Sequence, residues 1–178
     1  LKSCLKQVNV VVAGPGLNEK ADEHLHLIWK SKLPLVLDAY GLRWLAQNNL
    51  PKRTANWIGT PHYGETVELL GKYKTESNRF VQLTLLNKIY GGQWILKGPG
   101  TLVGPNPTYV NNFADGILAT AGTGDVLAGI AGGMIAHGYS KAGALATHIH
   151  SESARKIITQ KSSRPVSYTH LTLPTTGI

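Results

Sequence analysis

Residues 33–60 read LPLVLDAYGLRWLAQNNLPKRTANWIGT. The stretch opens on an unbroken apolar run, LPLVLDA (33–39), and passes through YGLRWLAQNN (40–49) to ANWIGTP (55–61). An apolar run without alternation is the pattern of a strand covered on both faces. The middle segment reads as the helix that follows it. Strand, helix and strand in that order predict a parallel unit, and hence an α/β fold with a mostly parallel sheet.

The same alternation extends outward. VNVVVA (8–13) reads as a strand that stops at Gly14-Pro15-Gly16, and residues 19–31 read as a helix. GETVELLGKY (64–73) and SNRFVQLTLLNKIY (77–90) read as two helices, and QWILKG (93–98) as a fourth strand running into the turn GPGT. TLVG (101–104) and TYVNN (108–112) predict a hairpin. VLAGIAGGMIAHG (126–138) and AGALATHIHSESARKII (142–158) read as the last two helices.

Composition limits the function classes. The chain has 178 residues, 42% of them hydrophobic and 16% charged, which is enough apolar material for a packed core. No apolar run approaches the roughly 18 residues of a membrane span. The opening LKSCLKQVNVVVAGPGL lacks the layout of a secretory signal. Cys4 is the sole cysteine, which excludes an internal disulfide and makes a reducing compartment, the cytoplasm, the default. Net charge is +8, yet Lys30, Lys32, Lys52, Arg53, Lys72 and Lys74 are scattered rather than gathered into a nucleic-acid stripe. No metal site is expected: there is no HExxH and no cysteine pair, and His148 and His150 stand at i,i+2, off a common helix face. Packing or solvent contact is the favoured reading of both histidines.

In such a sheet, ligands bind at the carboxyl ends of the strands. The loops with chemical potential all follow strands: GPGL (14–17), Asp38, TPHYGE (60–65) and ILKGPGT (95–101). Their convergence on one sheet edge is the strongest signal. LATAGTGDVLAG (118–129) adds a glycine-rich approach to a helix. Gly122 and Gly124 permit close backbone approach, and the helix start offers free N–H groups to a phosphate. Asp125 either caps that helix or acts as a base on a hydroxyl that attacks phosphate. A mere cap would repel the phosphate that the loop invites, which favours the base. Lys97 can meet a nucleotide phosphate, although taken alone it reads as a surface lysine before a β-turn. His62 can donate a hydrogen bond to a ligand, and GPGL can lie against a flat one. For Asp38 a helix cap is favoured over orientation of a ligand or a metal-bound water.

In order, GPGL, LVLDAYGL, TPHYGE, ILKGPGT and LATAGTGDVLAGIAGGMIAHG resemble the NAD(P)H-hydrate dehydratase family, over about residues 8–155. The resemblance implies a ribokinase-like, three-layer α/β/α domain over residues 1–160, incomplete at its N-terminus; residues 161–178 depart from it and, with no helical period and few charges, read as an irregular, non-native tail. The resemblance further implies repair of hydrated NADH or NADPH (NAD(P)HX) at the expense of ADP or ATP with Mg2+, the TPH and AGTGD forms favouring ADP. By resemblance Asp125 is the base, at the hydroxyl of the bound substrate. Gly16 and His62 contact the hydrated nicotinamide nucleotide. Lys97, Gly98, Pro99, Gly100 and Thr101 line the adenine nucleotide, with Gly122 and Gly124 at its phosphate. The implied partners are small molecules, not nucleic acid or membrane, and a homo-oligomer is compatible with the family. A small-molecule kinase of the same fold, or a nucleotide-binding module without turnover, remains the alternative.

Overall fold

The computed structural model of the chain describes residues 1–113 and 118–160. The tail singled out in the sequence, 161–178, lies outside the described residues. Four parallel strands follow in chain order, β1 (Val11–Ala13), β2 (Leu35–Leu37), β3 (Trp57–Gly59) and β4 (Gln93–Leu96). An antiparallel hairpin of β5 (Thr101–Gly104) and β6 (Tyr109–Asn111) extends the same sheet. The first strand is shorter than the apolar run 8–13 suggests, because its ladder with β2 pairs only Val11 to Ala13.

The helices are α1 (Asp22–Lys30), α2 (Tyr40–Gln47), α3 (Tyr63–Leu70), α4 (Arg79–Tyr90), α5 (Thr123–Ala136) and α6 (Ala142–Gln160). Because the parallel strands are laid down in monotonic order by crossovers of one hand, α1 to α4 fall on one face. The other face is covered only when the chain returns after the hairpin, with α5 over β1 and β2 and α6 over β4 to β6. The result is three layers, α/β/α.

Strand periodicity sorts the core. Leu35 and Leu37 point to the α1–α4 face and Val36 to the α5–α6 face. Trp57 and Ile58, Trp94 and Ile95, and Leu102 and Val103 divide in the same way. On the first face, Trp29, Trp44, Trp57 and Trp94 form a run of edge-on ring contacts with centroid separations of 5.1–6.2 Å. Gly59 makes room for this run: a Cβ there would lie 2.5 Å from the Trp94 ring. Gly59→Ala is therefore expected to overpack the sheet and cost about 1–3 kcal/mol, read as a lower denaturant midpoint with an unchanged m value.

Candidate active site

All four loops that follow the parallel strands lie on one edge of the sheet, since β1 to β4 share a direction. The turn Gly14–Leu17 closes with Leu17 N–H donating to the Gly14 carbonyl at 3.1 Å, and Gly16 takes the positive φ of 69° that this turn requires. Gly14 is needed for a different reason. A Cβ there would lie 1.7 Å from the Asp38 carbonyl oxygen, so only a bare backbone lets the β1 and β2 ends meet.

Asp38 corrects the reading of it as a helix cap. The N-cap of α2 is Ala39, and no side chain caps that helix. Asp38 is instead buried and ion-paired, with Lys97 Nζ donating to its Oδ1 at 2.8 Å. The pair joins the ends of β2 and β4 across the end of β3, where Thr60 and Pro61 are also tied down. Thr60 N–H donates to the Leu37 carbonyl at 3.0 Å, and Lys97 N–H to the Pro61 carbonyl at 2.9 Å. Asp38 exposes 3% of its side chain and Lys97 20%, so Lys97 is the member that can still meet solvent or a ligand.

His62 opens α3 through a reciprocal pair of bonds. Its Nδ1 accepts from Glu65 N–H at 3.2 Å, while Glu65 Oε2 accepts from His62 N–H at 2.8 Å. Accepting at Nδ1 leaves the neutral ring's proton on Nε2, which stands 3.5 Å from Glu65 Oε1 on a side chain that is 60% exposed, and His62 lines the cavity. Glu65 Oε2 also stands 4.0 Å from Lys97 Nζ.

Helix α5 brings the glycine-rich segment to the same place. Gly122 precedes it in the left-handed conformation, φ 87°. The buried Thr123 hydroxyl lies 2.6 Å from the Leu118 carbonyl and 2.7 Å from that of Thr120, which fixes the turn before the helix. Helix α5 starts at Thr123, three residues before the apolar run, so Asp125 sits within the first turn rather than ahead of it. Asp125 is exposed and makes no cap bond. The amides of Gly124 and Asp125 stand where an α-helix has no internal acceptors. A Cβ at Gly124 would lie 3.3 Å from Lys97 Nζ and 3.6 Å from Asp38 Oδ2, so the helix start abuts the ion pair.

These groups line one cavity of about 600 Å³. Among the residues singled out in the sequence, it includes Asp38, His62, Lys97, Gly98, Pro99, Thr101, Gly122, Gly124 and Asp125. Gly16 and Gly100 are not in its lining. The sequence reading missed Glu65, Phe113, Thr147, His150 and Ser151, all of which line it. Thr147, His150 and Ser151 share a face of α6, whose only sequence signal was the HIH cluster. Asn111 holds that face to β6, its Nδ2 donating to the Thr147 carbonyl at 3.1 Å and to Ser151 Oγ at 2.8 Å. His148 is exposed.

His150 is buried, with Nε2 unpartnered. Burial pushes its pKa down to about 4 with help from the nearby Lys97 charge, against a backbone hydrogen bond with Thr123 that acts the other way. A depressed histidine pKa means the unfolded chain binds the proton more readily than the folded one. Stability is thus intact above the ordinary pKa of about 6.5 and is lost as pH falls toward 4. His150→Gln is expected to flatten the decline of Tm between those pH values relative to wild type. The ion pair gives an asymmetric prediction. Lys97→Met strands the buried Asp38 charge and costs about 3–5 kcal/mol, whereas Asp38→Asn leaves a Lys97 that can hydrate and costs less, as chemical denaturation will show.

Comparison with known proteins gives this cavity its context. The family model for NAD(P)H-hydrate dehydratase matches residues 2–174. The chain is 37% identical over 179 residues to the bifunctional NAD(P)H-hydrate repair enzyme Nnr of Coxiella burnetii, a match covering 96% of the chain and 36% of that enzyme. It is 40% identical over 113 residues to the ADP-dependent (S)-NAD(P)H-hydrate dehydratase of Neisseria meningitidis serogroup B, covering 59% of the chain and 38% of that protein. The ADP/ATP-dependent NAD(P)H-hydrate dehydratase of Bacillus subtilis, co-crystallised with ATP/Mg2+ and soaked with CoA, superposes with a TM-score of 0.77 at 26% identity. That match covers 91% of the chain and 62% of the Bacillus protein. The chain thus spans about a third of the length of the first two relatives. With the ribokinase-like layers, the strand-end loops and the family match in agreement, the chain belongs to the NAD(P)H-hydrate dehydratase family.

Proposed function

We propose that the cavity dehydrates hydrated NADH or NADPH at the expense of an adenine nucleotide, ADP in preference to ATP. One observation carries the reading: the first turn of α5, with Asp125 in it, abuts the Lys97–Asp38 pair at the edge where the 97–101 turn also opens. A helix start and a lysine attract phosphate, and an exposed carboxylate beside them suits a base on a hydroxyl that attacks it.

The residues present fit a nucleotide phosphate. Gly124 is a bare position facing Lys97, and the amides of Gly124 and Asp125 stand where an α-helix has no internal acceptors. Among the described residues no three His, Cys, Asp or Glu side chains gather to hold a metal. Magnesium would come with the nucleotide, held largely by phosphate and water as is usual for that ion. It would offset phosphate charge there.

The division of labour follows. Lys97, with Gly122 and Gly124, receives the phosphates, and Gly98, Pro99, Gly100 and Thr101 border the nucleotide. Asp125 removes the proton of the extra hydroxyl as its oxygen attacks the terminal phosphate, with the nucleotide shortened by one phosphate (AMP from ADP) as leaving group; that phosphate then departs together with a proton from the adjacent ring carbon, which restores the ring double bond. His62 donates Nε2–H toward the nicotinamide nucleotide. Gly16, on the neighbouring turn outside the cavity lining, would serve the far end of the same ligand. No helix among the described residues is long and apolar enough to cross a membrane. The exposed thiol of Cys4 suits a reducing, cytoplasmic setting.

The test is to incubate the protein with hydrated NADH, magnesium and either ADP or ATP, and to follow the return of NADH absorbance. Return with ADP supports the reading. A phosphorylated product that accumulates without NADH would instead make the protein a kinase. Asp125→Asn should reduce kcat by about 100-fold or more while leaving the Kd for ADP nearly unchanged. Turnover at the wild-type rate would remove Asp125 from the base role.

A further inference from the structure

Arg79 is the first residue of α4, placed by Asn78, whose Oδ1 accepts from the amides of Phe80 at 3.0 Å and Val81 at 3.4 Å. Its guanidinium reaches the turn between β4 and β5. Nη1 donates to the carbonyls of Pro99 at 2.6 Å and Gly100 at 3.0 Å, and Nη2 to that of Leu96 at 2.8 Å. No carboxylate among the described residues forms a salt bridge with it. A cation in the first turn of a helix opposes the helix dipole, and partial burial holds its pKa below the ordinary arginine value. Three carbonyl acceptors offset both costs.

Those acceptors set the polarity of the turn. The peptides that follow Leu96, Pro99 and Gly100 are trans, and a trans peptide points its N–H opposite to its C=O. The Leu96 peptide shows the consequence, with its carbonyl on Arg79 and the Lys97 amide on the Pro61 carbonyl at 2.9 Å. By the same geometry the amides of Gly100 and Thr101 face away from Arg79, and Thr101 lines the cavity. Gly98, with φ of 140°, and Gly100, with φ of 62°, supply the backbone freedom for this arrangement.

We infer that Arg79 is a positioning residue for the adenine nucleotide: it collects the carbonyls of the 96–101 turn on one side so that the opposite side is left to the ligand. This rests on the nucleotide reading of that turn given above. A lysine cannot substitute, because a single ammonium lacks the planar fork that serves three acceptors. Arg53 provides an internal control. It donates in the same manner to the carbonyls of Ile28, Trp29 and Leu33, but those lie before β2, at the sheet edge opposite the cavity.

The experiment uses the full chain and its Arg79→Lys, Arg79→Ala and Arg53→Ala variants. ADP affinity is measured by calorimetry, and KM for ADP and kcat by NADH return. Both Arg79 variants are expected to raise the ADP Kd and KM about tenfold or more, with kcat at saturating ADP unchanged. Sub-denaturing guanidinium should restore part of the ADP affinity of Arg79→Ala. Arg53→Ala should lower Tm without moving the ADP Kd. The inference is overturned by an unchanged ADP Kd in Arg79→Lys (the variant that carries the comparison should Arg79→Ala not fold). Equal weakening in Arg53→Ala, or loss confined to kcat, overturns it too. Wild type that binds no ADP would sink the nucleotide reading and this inference together. Wild type that binds ADP but returns no NADH would sink only the dehydratase reading, and calorimetry would still decide the role of Arg79.

Discussion

The ion pair of Lys97 and Asp38 is the constraint around which the site is assembled. It spans the ends of β2 and β4 at 2.8 Å, over the end of β3, and the first turn of α5 rests against it. A carboxylate this buried requires its partner, so the ends of β2 and β4, each laddered to β3 rather than to the other, are tied together by charge. The same pairing leaves Lys97 a fifth exposed at the cavity, where it is both a structural tie and an accessible cation. A Cβ at Gly124 would press on Lys97 Nζ at 3.3 Å, so the bare position eases the approach of the helix.

Glycine serves the site through contact as much as through conformation. Gly14 lets β1 and β2 ends touch, Gly59 admits the Trp94 ring, and Gly124 seats a helix on an ion pair. Gly122 alone among the α5 start residues needs a left-handed backbone. One glycine-rich segment therefore combines two unrelated demands, a left-handed turn at Gly122 and a close contact at Gly124.

Two arginines show how a cation can organise backbone without an acid. Arg53 and Arg79 each gather carbonyls from a turn, one at each edge of the sheet. At Arg53 the consequence is a fixed entry into β2. At Arg79 the turn borders the cavity, so the same chemistry bears on a ligand.

Much of the architecture was legible in residues 33–60 and their repeats along the chain. Apolar runs of strand length, separated by helical segments, require a parallel sheet with both faces covered, because unpaired backbone and exposed apolar faces are costly. The strand-end loops, and their gathering at one edge, follow from that direction alone. What the sequence could not decide was which side chains meet there. Asp38 reads locally as a cap, and only the 59-residue separation from Lys97, closed by the fold, makes it an ion-pair partner. His150 reads as half of an unremarkable HIH cluster until α6 packs its face against the start of α5. Local pattern determines where strands and helices form, since it reflects burial period and turn chemistry. Pairing between distant side chains depends on crossovers and packing, and the tertiary structure alone decides it.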